Sequence, residues 1–304
     1  MTLKEKYCGV IVPMTTPLTQ QGEIDQQGVI NIVNGLISNA CIPFVLGTTG
    51  ESHSISEKQK MDLVRYTVEA TAGRDLVYAG ISGNCYQESV AQAHAFSDIG
   101  ADVLVAHLPC YYPIDEAQME TYYLALADAS PLPLMLYNIP VTTNLSMPMD
   151  LIDRLSSHEN VVGFKDSERG EDRLQQGLEM WRDRQDFTYH LGWAAKSSAG
   201  LQGGLDGIVP ASANLTPGLY RGIYDAVKNG DFDEADRLQA ITDEVSAYYQ
   251  EGRTLSHFIP ILKAMLAAAD LCEPYVAPPM ITLPRQEIEQ IKNDVLTRFG
   301  QFLS

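Results

Sequence analysis

Short, uninterrupted apolar runs recur along the first two thirds of the chain, at residues 9–13, 44–46, 76–81, 102–108, 134–137, 161–165, 188–192 and 207–210. Each spans three to seven residues rich in Val, Ile, Leu and aromatics, with no polar alternation. A strand that alternates apolar and polar residues can leave one face in water. A strand that is apolar throughout must be covered on both faces, which is the signature of a parallel sheet wrapped in helices. The intervening segments have helical spacing. Residues 56–72 place Met61, Val64 and Val68 on one stripe behind Ser56, a side chain suited to capping a helix N-terminus. Residues 87–99 repeat the pattern and stop at Gly100. Eight strands alternating with helices at intervals of roughly 20 to 35 residues predict an α/β fold, a (β/α)8 TIM barrel. A doubly wound open sheet would place a glycine-rich turn after the first strand, where this chain has Met14-Thr15-Thr16-Pro17. Beyond Pro217 the strand signal ends, and 223–249, 256–269 and 285–299 read as helices. The expected organisation is a barrel over residues 1–220 with a C-terminal helical extension over 221–304.

Charge narrows the partners. Acidic residues outnumber basic ones 39 to 21, a formal net charge of -18, so the far field repels phosphates and anionic lipid surfaces. Neither nucleic acid nor membrane is an expected partner, and no run of about 18 apolar residues exists to span a bilayer. The amino-terminal segment lacks the apolar stretch of a secretion signal. Five cysteines without CxxC spacing argue against a disulfide framework and a structural zinc site, and a cytoplasmic protein is expected.

Barrel chemistry is built at the C-terminal ends of strands. There the sequence offers Thr48-Thr49-Gly50-Glu51, Pro109-Cys110-Tyr111-Tyr112-Pro113, Tyr137-Asn138-Ile139-Pro140, Lys165-Asp166-Ser167 and Pro210-Ala211-Ser212-Ala213-Asn214. Lys165 ends an apolar run, so its amine would sit where desolvation disfavours the ammonium, and a neutral amine can attack a ketone to form a Schiff base. A lysine that merely extends to water from a strand end is the competing reading. Tyr137 ends the preceding run and could pass protons to and from a neighbouring amine; otherwise it is a buried packing tyrosine. The hydroxyls and backbone N–H groups around Thr48 and Thr49 could hold a carboxylate without a basic side chain, or form an ordinary turn.

Taken together, GTTGES at 47–52, PCYYP at 109–113, YNIP at 137–140, GFKDS at 163–167 and GIVPAS at 207–212 resemble the dihydrodipicolinate synthase and N-acetylneuraminate lyase superfamily, across nearly the whole chain and in the same order. The resemblance implies a class I aldolase-type barrel that binds a 2-oxo acid, usually pyruvate, as a lysine imine and needs no cofactor or metal. It gives Lys165 the Schiff-base role and Tyr137 that of proton donor and acceptor. Thr48 becomes the relay hydroxyl and Thr49 a holder of the pyruvate carboxylate. Tyr111 becomes a relay tyrosine lent across a subunit interface, and Val209 a residue whose carbonyl faces the substrate. A homotetramer, a dimer of dimers, is the implied assembly.

Departures from the family pattern bear on the substrate. Dihydrodipicolinate synthases carry an arginine two residues past the proline of YN-P, where this chain has Thr142, which cannot replace a bidentate guanidinium. Sialic-acid lyases carry an acidic pair where this chain has Gly192-Trp193-Ala194-Ala195. The remaining resemblance is to enzymes of short 2-keto-3-deoxy acids or 4-hydroxy-2-oxoglutarate, with an aldehyde as the second product or substrate. Ser167 would then hold a substrate hydroxyl, or else cap the helix that follows Gly170. Dihydrodipicolinate synthase activity and a non-enzymatic 2-oxo-acid sensor are the alternatives. A metal-dependent aldolase finds no HxH or HExxH spacing among the six histidines, although His107 and His190 both end strands.

Overall fold

The computed structural model describes residues 2–303. Eight parallel strands close into a barrel in chain order: β1 (Gly9–Pro13), β2 (Ile42–Val45), β3 (Tyr78–Gly80), β4 (Val103–His107), β5 (Leu134–Asn138), β6 (Val161–Asp166), β7 (Thr188–Leu191) and β8 (Gly207–Ile208). Every strand residue is buried, which is why the strands read as unbroken apolar runs. A helix follows each strand, so the fold is the expected (β/α)8 barrel with helices beyond it at the C-terminus.

Local chemistry sets the helix limits. Ser56 caps helix Glu57–Thr71 in a reciprocal box with Gln59. Helix Tyr86–Ile99 ends on Gly100, in the left-handed region at φ 107°. The expected single helix over 223–249 is two. Pro217–Lys228 follows β8 and packs against β1 as the eighth barrel helix, Gly230 turns the chain at φ 77°, and Asp231 caps Phe232–Gln250 through the Glu234 N–H. Residue 220, the expected end of the barrel, therefore lies inside that eighth helix. Helices Leu255–Ala268 and Arg285–Phe299 complete the extension. No helix among the described residues is long and apolar enough to cross a membrane.

Apolar side chains form two layers. One lies between strands and helices; the other fills the barrel, where Ile11, Ile42, Phe44, Tyr78, Val105 and Met135 belong to one cluster. Tyr7, on the N-terminal helix Leu3–Tyr7, joins the barrel cluster, and Lys4 fixes that helix through an ion pair with Asp206 at 3.0 Å. The interior is solid packing, so chemistry is confined to the rim where the strands end.

Candidate active site

Register decides which strand-end side chains share the barrel interior. Residues paired across parallel strands point to the same face, and His107, Tyr137, Lys165, His190 and Gly207 form one continuous row from β4 to β8. Lys165 sits in the middle of this row, only 3 % exposed. Its Nζ lies 4.0 Å from the centroid of the Tyr137 ring and 4.8 Å from that of Phe44. Among the described residues no carboxylate reaches it, so nothing offsets the cost of removing an ammonium from water. Burial alone pulls its pKa down to about 7.

The Tyr137 phenol lies 3.4 Å from Thr48 Oγ1. Burial raises its pKa, while the hydroxyls of Thr48 and Ser167 oppose that rise by hydrogen bonding. Lys165, Tyr137, Thr48 and Ser167 therefore converge on one point at the rim. Ser167 does not cap the following helix: Gly170 occupies the cap of Glu171–Trp181 with no side-chain bond. The space Ser167 uses is left by Gly192, where an added Cβ would collide with its hydroxyl.

Thr49 is buried beside Thr48 in a tight loop closed by Gly50 N–H to the Gly47 carbonyl at 3.1 Å and Glu51 N–H to the Thr48 carbonyl at 3.2 Å. The N–H groups of Thr48 and Thr49 find no acceptor among the described residues. Glycine is required at 50, because a Cβ there would lie 2.9 Å from the Met14 carbonyl oxygen. Val209 is buried in the barrel cluster, its N–H bonded to the Leu191 carbonyl at 2.8 Å.

Tyr111 stands apart. It is 75 % exposed, packs edge-on against Tyr112, and makes no hydrogen bond to Thr48 or Tyr137 within the chain. Its loop is held by Asn84, whose Oδ1 accepts from the N–H groups of Cys110 and Tyr111 at 2.9 and 3.2 Å.

Three further residues at the strand ends have no catalytic or substrate-binding role in the sequence analysis. Asp166, next to Lys165 but facing out of the barrel, accepts from Arg173 Nε at 2.6 Å, Asn138 Nδ2 at 2.9 Å and the Glu168 N–H at 3.0 Å, and so anchors the end of β6. His107 donates Nδ1–H to its neighbour's carbonyl, Leu108 O, at 2.7 Å, and burial lowers its pKa to about 4. His190 is fully buried with neither ring nitrogen hydrogen-bonded, and its pKa falls to about 3 through burial and then the nearby Lys165 charge. Both imidazoles are neutral near pH 7. Their strand-end positions are legible in the sequence, but only the register places both in one row with Lys165. No three His, Cys, Asp or Glu side chains among the described residues come together as a metal site.

Comparison with known proteins places the chain among relatives that match it over nearly its whole length. A model of the Dihydrodipicolinate synthetase family matches residues 6–297. A dihydrodipicolinate synthase structure from Bacteroides thetaiotaomicron is 33 % identical, with a TM-score of 0.90, covering 95 % of this chain and 98 % of its own. The Escherichia coli K12 prophage protein YagE, solved in complex with pyruvate, is 25 % identical with a TM-score of 0.89, covering 96 % and 98 %. The probable 2-dehydro-3-deoxy-D-pentonate aldolase YjhH of Escherichia coli K12 is 28 % identical over 291 residues, 94 % of this chain and 96 % of that protein.

Proposed function

The chain belongs to the Dihydrodipicolinate synthetase family of pyruvate-dependent class I lyases and aldolases, and on that premise we propose that it cleaves or forms a short 2-keto-3-deoxy acid or 4-hydroxy-2-oxoglutarate through a lysine imine. The observation that carries this reading is a buried, unpaired lysine with a pKa of about 7 beside a tyrosine that shares a hydroxyl contact with Thr48. In the proposed reaction, neutral Lys165 adds to the ketone of the 2-oxo acid and Tyr137 passes the protons that turn carbinolamine into imine and water. The imine then accepts the electron pair of the breaking carbon–carbon bond. The aldehyde departs as its hydroxyl gives up a proton and leaves an enamine on Lys165; a proton delivered to the enamine carbon restores the imine, whose hydrolysis returns pyruvate and the free amine.

In the proposed binding mode, the unpaired N–H groups of Thr48 and Thr49 receive the 2-oxo-acid carboxylate, which suits a protein whose net charge would not attract an anion. The Val209 carbonyl and Ser167 hydroxyl face the rest of the substrate. The substrate assignment is supported by what surrounds them. Thr142, whose hydroxyl donates to the Ile139 carbonyl at 3.3 Å, offers no cation to a second carboxylate. The neutral imidazoles of His107 and His190 are likewise no substitute for that cation. Assay of pyruvate release from a panel of 2-keto-3-deoxy acids and 4-hydroxy-2-oxoglutarate tests the assignment. Condensation of pyruvate with a carboxylate-bearing aldehyde, and no cleavage of the panel, would favour the dihydrodipicolinate synthase reading. Pyruvate binding without turnover of any substrate would favour the sensor.

The lysine gives this proposal a pH signature. Below pH 7 the free-amine fraction falls tenfold per pH unit, so kcat/KM is expected to rise about tenfold per unit toward pH 7 and level off above it. A rate independent of pH between 5 and 7 would contradict nucleophilic attack by this amine.

The proposal extends to the assembly, a cytoplasmic homotetramer in which Tyr111 of one subunit completes the relay of another. Free cysteines and an exposed Tyr111–Tyr112 pair support it. Lys165→Ala and Tyr111→Phe subunits, each inactive alone, are expected to recover up to about a quarter of wild-type activity after random reassembly, because one of the two sites in each hybrid dimer is intact. Confirmed hybrids without recovery would place Tyr111 outside the relay.

A further inference from the structure

The loop that carries Thr48 and Thr49 is gripped from a distant part of the chain. Glu51 closes this loop with its side chain completely buried. Its Oε1 accepts from Lys263 Nζ at 2.7 Å, with both side chains 0 % exposed, and its Oε2 accepts from the Ala277 N–H at 2.7 Å. Lys263 lies on helix Leu255–Ala268, and Ala277 in the segment leading to Arg285–Phe299, so both partners belong to the C-terminal extension. The main chain of Glu51 is equally occupied. Its N–H donates to the Thr48 carbonyl at 3.2 Å, and its carbonyl accepts from the Ser54 N–H at 2.8 Å. Its φ is 55°, a left-handed conformation that a non-glycine residue holds only when its surroundings impose it.

A buried ion pair is a poor device for stability, because desolvation consumes most of the attraction and an apolar pair of similar volume often folds as well. What it does supply here is position. One carboxylate with two fixed donors on two separate segments defines both the place and the orientation of Glu51. The turn Thr48–Thr49–Gly50–Glu51 transmits that constraint to Thr48 Oγ1, 3.4 Å from the Tyr137 phenol. We propose that Glu51, clamped by Lys263 and Ala277, is a positioning residue that holds Thr48 and Thr49 in their working geometry. The C-terminal extension is then part of the active site. This inference rests on the imine reading above, since it assigns the clamp to the relay and carboxylate loop and not to Lys165.

The test separates the amount of imine that Lys165 reaches at equilibrium, which a slowed relay still allows, from turnover, which draws on the loop at every proton transfer. Glu51→Gly with Lys263→Met removes both charges together, gives the left-handed position a glycine, and leaves no unpaired buried ion. Glu51→Gln with Lys263→Met also removes the charge pair but keeps an oxygen acceptor for the Ala277 N–H. For each protein, thermal unfolding, turnover and the extent of borohydride trapping after prolonged incubation with saturating pyruvate are measured. In the glycine variant, kcat is expected to fall 10- to 100-fold and KM to rise, with trapping at Lys165 reduced less than threefold. The glutamine variant is expected to lie between it and wild type, and it keeps the comparison available if the glycine variant does not fold. A clamp that served stability alone would lower turnover and trapping in parallel with the folded fraction, and that result overturns the proposal. Normal turnover in both folded variants overturns it as well. If wild type itself is not trapped, the imine reading falls and the clamp's role with it; a trapped wild type beside fully active variants removes the clamp alone.

Discussion

Borohydride added with pyruvate is expected to leave a stable secondary amine on Lys165 and on no other lysine, read as a pyruvate-derived mass increase on the peptide that contains it. Lys165→Ala is expected to abolish the adduct and to lower turnover by at least about four orders of magnitude, as loss of a covalent nucleophile does elsewhere. The selectivity follows from desolvation. Lys58 stands in water against Asp62, and Lys263 is buried against a carboxylate at 2.7 Å, so each keeps a partner for its charge. Lys165 is buried without one. Labelling of a different lysine, or a Lys165→Ala protein that still turns over, would end the proposed mechanism.

Tyr137→Phe is the second large effect expected. The substitution keeps the ring over which the Lys165 amine sits at 4.0 Å and removes only the hydroxyl shared with Thr48 and Ser167. Turnover is expected to fall by two to four orders of magnitude, the usual range for losing a positioned proton donor and acceptor, while the loss of one hydrogen bond costs stability only about 1 kcal/mol. Single-turnover measurements should place the defect in imine formation and breakdown. A variant with near-normal kcat would move the proton path to another group, with His107, whose ring lies 6.0 Å from Tyr137, as the first candidate.

Much of this molecule could be read before its coordinates, and for a physical reason. Strands buried on both faces leave continuous apolar runs, so the barrel and its strand ends were legible, and with them Lys165, Tyr137 and Thr48. What was not legible depends on relations between distant segments. The interior row from His107 to His190 is fixed by strand register, which no local pattern encodes. Glu51 and Lys263 are 212 residues apart, and neither segment announces a buried partner. The break at Gly230 was missed because polar residues on either side of it sustain the helical spacing. Ser167 reads equally as a helix cap or a substrate contact in the sequence, and the position of Gly170 at the cap removes the first of these readings.

The unpaired lysine has a consequence for the protein as a folded object. Its amine binds a proton with a pKa of about 7 in the native chain and near 10.5 in the unfolded one. Between those values the unfolded state carries a proton that the native state lacks, so unfolding takes one up, and native stability gains from this residue as pH rises from 7 to 10.5. Below pH 7 both states are protonated and the penalty is complete; at neutrality it is on the order of 4 kcal/mol. A nucleophile held ready in this way is a standing debt against the fold. Lys165→Met, apolar and of similar length, should melt at a higher temperature than wild type near pH 7, with the advantage shrinking toward pH 10. The barrel thus keeps this amine at the expense of its own cohesion, and in the proposed mechanism its capture by a 2-oxo acid is the event that relieves it.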